Sequence, residues 1–149
     1  MIIDKNILPY TVIGEDSIRH ALQKMDASTE GMVVCVDPDG ILQGVLTDGD
    51  FRRWSLSASL PDLNQPVGEI ITRNCVTAYA SDPLDKVAML INEKIAFVPL
   101  LDKRGRLVGL VRNRTDQMRL SSHVVGQDHP CFFIAEIGNN HNGNLELAY

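Results

Sequence analysis

The clearest candidate for chemistry is the string at residues 44–50, which reads GVLTDGD. An apolar run ends at Thr47, and the chain then leads into a predicted helix. The free N–H groups and the positive dipole end at a helix start favour a phosphate, and a threonine hydroxyl can add a hydrogen bond. Asp50 lies three residues further on, and its carboxylate can accept from both hydroxyls of a ribose, as an acidic residue does in dinucleotide folds. The string therefore fits contact with a nucleotide.

A helix cap accounts for the same residues without any ligand. Asp48 or Asp50 can cap the helix while Thr47 ends the strand, since such residues are favoured there. Two carboxylates also oppose a phosphate unless Arg52 or Arg53 compensates, and these arginines equally fit a solvated helix face. Both interpretations remain open on the sequence alone.

A second candidate is Glu136, which interrupts the apolar run at 132–138 (FFIAEIG). Such runs suit a strand that is buried on both faces, where a charged group needs a partner or a functional reason. A turn at 139–143 and the start of a helix at 144–149 follow, and the chain stops within that predicted helix. We therefore expect these residues to be a piece of a longer protein.

The histidines and cysteines predict no metal site. His123, His129 and His141 fall within 19 residues, but their spacing fits no ligand pattern, and we interpret them as linker and loop histidines. The 3 cysteines form no CxxC, so we expect free thiols in a reducing cytoplasm.

The composition of the 149 residues is ordinary for a globular protein, with 44% hydrophobic and 22% charged residues. It excludes a collagen, gross disorder and a disulfide scaffold. No apolar run approaches the ~20 residues that cross a bilayer. A net charge of -5 argues against nucleic-acid binding, and no secretory signal is visible at the N-terminus. We predict a cytoplasmic protein with neither nucleic-acid nor membrane partners.

The elements that must position Thr47 and Asp50 occur twice. In the first copy, a strand, a helix, two strands and a helix are predicted at 11–12, 18–25, 32–36, 41–46 and from about residue 50. In the second copy, the same elements are predicted at 76–79, 84–91, 97–101, 107–111 and 113–120. Three landmark pairs share an offset of 65 residues: Asp37 and Asp102, Gly40 and Gly105, Gly44 and Gly109. Because a unit of ~60 residues buries only about 60% of its unfolded surface, the two copies should share a core.

The duplicated pattern resembles a tandem of CBS domains, a pair known as a Bateman module. The resemblance rests on 33–53 (VVCVDPDGILQGVLTDGDFRR), 97–111 (FVPLLDKRGRLVGLV) and 67–78 (VGEIITRNCVTA). It implies an α+β fold in which two β-α-β-β-α repeats pack about a pseudo-two-fold axis. We divide the chain into a first repeat at 1–56, a connection at 57–66, a second repeat at 67–120, a linker at 121–131 and a fragment at 132–149.

The resemblance also implies a nucleotide site, usually for an adenosine nucleotide. Thr47 and Asp50 would contact phosphate and ribose, and the base would lie in a slot formed by Thr77, Ala78, Ile95, Ala96, Phe97 and Pro99. The matching cleft would use Thr11, Met32, Val33, Arg112 and Thr115. Aligned on Gly109, that cleft has Arg112 in place of the threonine and Thr115 in place of the aspartate. We therefore expect one competent and one degenerate site, although Arg112 could still bind a phosphate.

The terminal string FFIAEIGNNHNGNLELA resembles the opening of the N-acetylneuraminate (sialic acid) synthase barrel. The resemblance implies a longer parent that condenses phosphoenolpyruvate with an N-acetylated hexosamine, with a divalent metal (Mn or Mg) supplied by later parts of the barrel. Glu136 would be a functional glutamate at the end of the first strand. With one strand of the barrel, we expect these 149 residues alone to be inert.

The resulting prediction is a regulatory module that senses an adenosine or cytidine nucleotide and carries no cofactor of its own. The small-molecule nucleotide would shift the pairing of modules, and the module would form a homodimer. The alternative is a purely structural dimerisation module with no ligand.

Overall fold

The computed structural model describes residues 2–92, 94–112, 117–120 and 123–126, in two compact units that divide after Asn113. The first unit contains the first repeat and the second repeat as far as Asn113. The first repeat has three strands and two helices after an N-terminal strand: β1 (Ile2–Asp4), β2 (Thr11–Ile13), α1 (Ile18–Ser28), β3 (Met32–Val36), β4 (Leu42–Thr47) and α2 (Asp48–Ser57). The second repeat contributes β5 (Ala78–Tyr79), α3 (Leu84–Leu90), β6 (Phe97–Leu101) and β7 (Leu107–Arg112). The mixed α+β class is confirmed.

Each repeat builds its sheet in the same way. β2 runs parallel to β3, and α1 makes the crossover that a parallel pair requires; β3 then turns back antiparallel to β4. β5, α3, β6 and β7 repeat this order in the second sheet. The register shifts once in each antiparallel pair, between Cys35 and Val36 and between Leu100 and Leu101. The 65-residue offset therefore relates even the positions of the two register shifts.

The hairpin turns join the two repeats to each other. Gly40 and Gly105 take the positive φ values, 81° and 80°, that a glycine adopts without strain. The Leu107 N–H donates to the Gly40 carbonyl at 3.0 Å, and the Leu42 N–H donates to the Gly105 carbonyl at 3.1 Å. The two bonds are equivalent under the 65-residue offset, because Leu107 corresponds to Leu42 and Gly40 corresponds to Gly105. The two repeats thus meet about an approximate two-fold axis.

The core is shared between the repeats. All five residues of β3 are buried, and alternate side chains point to opposite faces. Val33 and Cys35 pack with α1, whereas Met32, Val34 and Val36 pack in the same cluster as Leu107 and Leu110 of β7. Burial of each repeat against the other is the outcome that their small size predicts.

An unpredicted strand ties the N-terminus to the second repeat. β1 pairs antiparallel with β7, so that Ile3 lies opposite Val111. The second sheet consequently has the order β1-β7-β6-β5. The three-residue strand is too short to show a clear period in the sequence.

The predicted helix at 113–120 is wrong where the structure describes it. Residues 117–120 form β8 (Gln117–Leu120), which pairs antiparallel with β9 (His123–Gly126). β9 also lies within the predicted linker at 121–131. Val124 and Val125 are β-branched and favour a strand, and β8 finds its hydrogen bonds in this hairpin. Glu136, His129, His141 and the rest of 127–149 lie outside the described residues.

The longest helix in the described portion, α1, has 11 residues, and none there has the length and apolarity of a membrane-spanning helix.

Candidate functional site

The junction of β4 and α2 is a capped helix start. Thr47 is the N-cap, so α2 begins at Asp48 rather than near Asp50 as the sequence predicted. The Thr47 hydroxyl accepts from the Asp50 N–H at 3.2 Å, and the Asp50 carboxylate accepts from the Thr47 N–H at 3.0 Å. This reciprocal capping box satisfies two backbone donors at the helix start. The sequence left a cap by Asp48 or Asp50 open; in the structure Thr47 is the N-cap, Asp50 is its capping-box partner and Asp48 is the first helical residue.

The carboxylate of Asp50 accepts four hydrogen bonds. Its Oδ2 accepts from the Thr47 N–H at 3.0 Å and from the Thr47 hydroxyl at 2.6 Å. Its Oδ1 accepts from Arg53 Nη2 at 2.7 Å and from the Thr72 hydroxyl at 3.0 Å. Burial alone would raise the pKa of Asp50, but these hydrogen bonds outweigh it and hold that pKa below its ordinary value. Asp50 is thus a charged acceptor at neutral pH.

Thr72 reaches Asp50 because the first residues of the second repeat pair antiparallel with β4 at Val45. Val45 and Thr72 exchange two backbone hydrogen bonds, of 3.0 and 2.8 Å. The close approach depends on Gly44, where an added Cβ would lie 2.6 Å from the Thr72 carbonyl oxygen. The absence of a side chain at position 44 therefore lets the start of the second repeat, with Thr72, Cys75 and Val76, form one wall of the site.

A cavity of about 290 Å³ opens beside Thr47 and Asp50. Both repeats line it: Met32, Val45, Thr47, Asp50, Arg53, Thr72, Cys75, Val76, Lys94, Ile95, Ala96, Phe97 and Pro99. Most of these side chains are apolar, with one carboxylate and two cations among them. A concave apolar site with a few placed polar groups is the usual form of a small-molecule site.

The structure brings together six of the eight residues that the sequence assigned to the nucleotide site. Thr47 and Asp50 lie on one wall, and Ile95, Ala96, Phe97 and Pro99 come from the second repeat. Thr77 and Ala78 do not line the cavity.

Ala78 belongs to β5 and is 6% exposed, buried in the core cluster of Val87 and Val98. Its position in the sheet turns it away from the site. Thr72, Cys75 and Val76, a few residues earlier, form this part of the lining instead.

Five of the lining residues were assigned to no site from the sequence: Val45, Thr72, Cys75, Val76 and Lys94. Thr72 and Cys75 lie on an irregular segment without a period, so no pattern marked them. Lys94 lies next to the predicted slot and could have been included for its charge. Val45, on β4, alternates with the buried residues Gly44 and Leu46, and its proximity to Thr47 was the available signal.

The four described residues among those assigned to the second site, Thr11, Met32, Val33 and Arg112, do not form one cleft. Met32 lines the cavity of the first site, because it faces the second repeat from β3. Val33 faces the opposite side and is fully buried with α1. The Thr11 hydroxyl donates to the Ile7 carbonyl at 2.7 Å. Thr115 lies outside the described residues.

Arg112 is held by an acidic partner from the first repeat. Its guanidinium forms an ion pair with Glu30, and the two side chains are 27% and 20% exposed. Thr47 and Ile95, their counterparts at the 65-residue offset, both line the nucleotide cavity. Glu30 thus pairs with Nη1 of the guanidinium that the sequence offered to a phosphate, while Arg112 Nε is buried with no hydrogen-bond partner among the described residues.

The CBS domain family model matches residues 4–57 and 67–114. A CBS domain-containing protein of Dictyostelium discoideum is 31% identical over 126 residues, which cover 78% of this chain and 86% of that protein. An arabinose 5-phosphate isomerase of Salmonella typhi is 33% identical over 96 residues, 64% of this chain and 29% of the isomerase. The chain therefore spans less than a third of the isomerases that it matches.

Among solved structures, the CBS domain pair of protein MJ0100 is similar over 75% of this chain and 90% of that chain, with 29% identity and a TM-score of 0.59. That pair was solved in complex with 5′-methylthioadenosine and S-adenosyl-L-methionine. The family match covers more than half of the chain in two stretches that coincide with the two structural repeats. The chain belongs to the CBS domain family and carries a tandem pair of its domains.

Proposed function

We propose that this CBS pair is a regulatory module that binds an adenosine nucleotide in the cavity between its repeats. The observation that carries the proposal is the meeting of Thr47 and Asp50 with an apolar slot from the other repeat. Asp50 would accept from the ribose hydroxyls, and the base would lie against Ile95 and Phe97, which are partly exposed. The MJ0100 pair, which was solved with adenosine compounds, supports this ligand class.

The size and polarity of the cavity support a mononucleotide. Its volume of about 290 Å³ lies just below the ~300–1,000 Å³ range of small-molecule sites, which favours a small ligand. Apolar side chains suit a base, and the polar groups are gathered on the wall at Asp50. A ligand regulates only if it binds two states of the protein with different affinity. We propose that the nucleotide does so by joining residues of the two repeats.

Titration calorimetry on the 149-residue chain tests this function. We expect AMP, ATP or 5′-methylthioadenosine to release heat with one site per chain, and Asp50→Asn to weaken binding at least tenfold. Asp85→Ala is the matched control, because Asp85 is an exposed carboxylate on α3 that does not line the cavity. Light scattering measures the oligomeric state in parallel. No heat from any of these nucleotides would favour the purely structural dimerisation module.

We further propose that the regulated activity is that of a sialic acid synthase-like enzyme. The support is the terminal string FFIAEIGNNHNGNLELA, in which Glu136 would be the functional glutamate. The assay is phosphoenolpyruvate-dependent condensation with N-acetylmannosamine by the protein of the full gene, with and without AMP. CMP-sialic acid is included as a feedback ligand. Absence of condensation in the full-length protein would overturn this part and leave nucleotide binding standing.

A further inference from the structure

We propose that Arg53 exchanges partners when the nucleotide binds: it releases Asp50 to the ribose and becomes the residue that binds the phosphate. The proposal rests on the proposed function. It adds a specificity, because a site that works in this way selects a phosphorylated nucleoside over the uncharged nucleoside.

The first step is that Asp50 has no spare acceptor in this structure. A carboxylate offers about four lone-pair positions, and two donors approach each of its oxygens. A ribose diol can therefore reach Asp50 only by displacing donors that are already present.

The second step identifies the donors that give way. On Oδ2, both donors belong to Thr47, and the Thr47 N–H bond is half of the capping box that starts α2. On Oδ1, the donors are Arg53 and Thr72, which play no part in the cap. The Arg53 side chain is 73% exposed, whereas that of Asp50 is 13% exposed. Because solvent screens an exposed ion pair, Arg53 leaves at little cost.

The third step concerns where Arg53 goes. Arg53 lines the cavity together with Lys94, and Asp50 is the one carboxylate among the lining residues. Once a ribose engages Asp50, the guanidinium lies within the same site as the phosphate of that ligand. A guanidinium presents paired N–H donors that match phosphate oxygens, which makes it a strong phosphate partner. The cation that opposed ribose binding then favours a phosphate.

The experiment compares AMP with adenosine by calorimetry on the 149-residue chain. Arg53→Gln should weaken AMP binding about 10- to 100-fold, the range for loss of a charge-assisted hydrogen bond. The same variant should leave adenosine binding unchanged or make it a few-fold tighter, because Arg53 no longer competes for Asp50. Arg52→Gln is the matched control: Arg52 is exposed on the same helix and does not line the cavity. It should change neither affinity by more than twofold.

The outcomes separate this proposal from the one on which it rests. Equal losses for AMP and adenosine in Arg53→Gln, an unchanged AMP affinity, or a matching AMP loss in Arg52→Gln would each overturn the exchange and leave nucleotide binding intact. If the unaltered chain binds neither compound, the proposed function fails and the exchange fails with it. Melting curves of both variants show that the comparison is made on folded protein.

Discussion

Arg112 and Glu30 form an ion pair between the two repeats, at the positions that correspond to Thr47 and Ile95. Equivalent positions of the two repeats therefore differ in role: one pair lines a cavity and the other forms an ion pair. In one half they border an open cavity, and in the other they hold opposite charges that satisfy each other.

This ion pair should be worth more than a surface pair. Both side chains are at least 70% buried, so removal of Glu30 leaves a guanidinium short of solvent. In a double-mutant cycle of Glu30→Ala and Arg112→Ala, we expect a coupling free energy above about 1 kcal/mol from urea unfolding. Lys86 and Asp82 provide the control cycle, because Lys86 is 66% exposed; we expect about 0.3–0.5 kcal/mol there. Equal couplings in both cycles would contradict the prediction.

Thr47→Val should destabilise the protein by about 1 kcal/mol, since valine keeps the β-branched shape and removes the capping oxygen. Thr47→Ser keeps that oxygen and should recover most of the loss. Urea unfolding of the two variants provides the measurement. A valine variant as stable as the unaltered chain, together with a less stable serine variant, would show that the methyl group, rather than the cap, supplies the stability.

The stabilising effect of Asp50 should depend on pH. Because its hydrogen bonds lower the pKa of Asp50 in the folded protein, its contribution is complete above the unfolded pKa, about 3.9, and is lost as the pH falls through the lower folded pKa. Unfolding free energies of the unaltered chain and Asp50→Asn should therefore differ most at pH 6–7 and converge below about pH 4. A difference that stays constant down to pH 3 would contradict this.

Gly44→Ala should be costly, because its Cβ would lie 2.6 Å from the Thr72 carbonyl oxygen and force apart the Val45–Thr72 pair. We expect a loss of about 1–3 kcal/mol of unfolding free energy. Gly109→Ala should cost less, since its nearest atom, the Asp4 carbonyl oxygen, is 3.3 Å away. Gly14→Ala meets nothing within 4 Å and serves as the control. A different order among the three variants would show that close approach is not the deciding factor.

Cys75 should report occupancy of the cavity. It lines the site and is half-buried, and burial raises the pKa of its thiol, so alkylation should be slow at pH 7 and accelerate towards pH 9. We expect AMP to slow alkylation of Cys75 at least fivefold in a Cys131→Ser background. Cys35 is fully buried, with a thiol pKa raised to about 11, and should stay unmodified in the same mass spectrum. Equal rates with and without AMP would count against binding at this cavity.

The sequence predicted the duplicated elements and the apolar strands correctly, because both leave a regular pattern of residue types. Met32–Val36 and Phe97–Leu101 were found at their observed bounds, because buried strands between turns leave a sharp apolar signal. Thr47 and Asp50 were found because the string at 44–50 (GVLTDGD) runs from a predicted strand into a predicted helix. Thr72 and Cys75 could not be found in this way, because their segment has no regular spacing of apolar residues that would show where it contacts β4.

The wrong assignments have the same cause. The helix predicted at 113–120 was extended from the first repeat, where α2 follows β4, but Gln117–Leu120 pairs with β9. Ala78 was assigned to the slot although its place in β5 buries it in the core. In both cases the pairing of a strand, with the next strand of a hairpin for Gln117–Leu120 and with β6 for Ala78, decided the outcome.

The exchange of hydrogen bonds between the hairpin turns at Gly40 and Gly105 has an evolutionary consequence. A contact in which each side supplies the same donor and acceptor is the isologous contact of two identical molecules. An ancestral gene for one such unit would already have encoded this association as a homodimer. Fusion of two such units would need no new surface: it would make their association independent of concentration and leave the halves free to diverge into an open cleft and an ion pair.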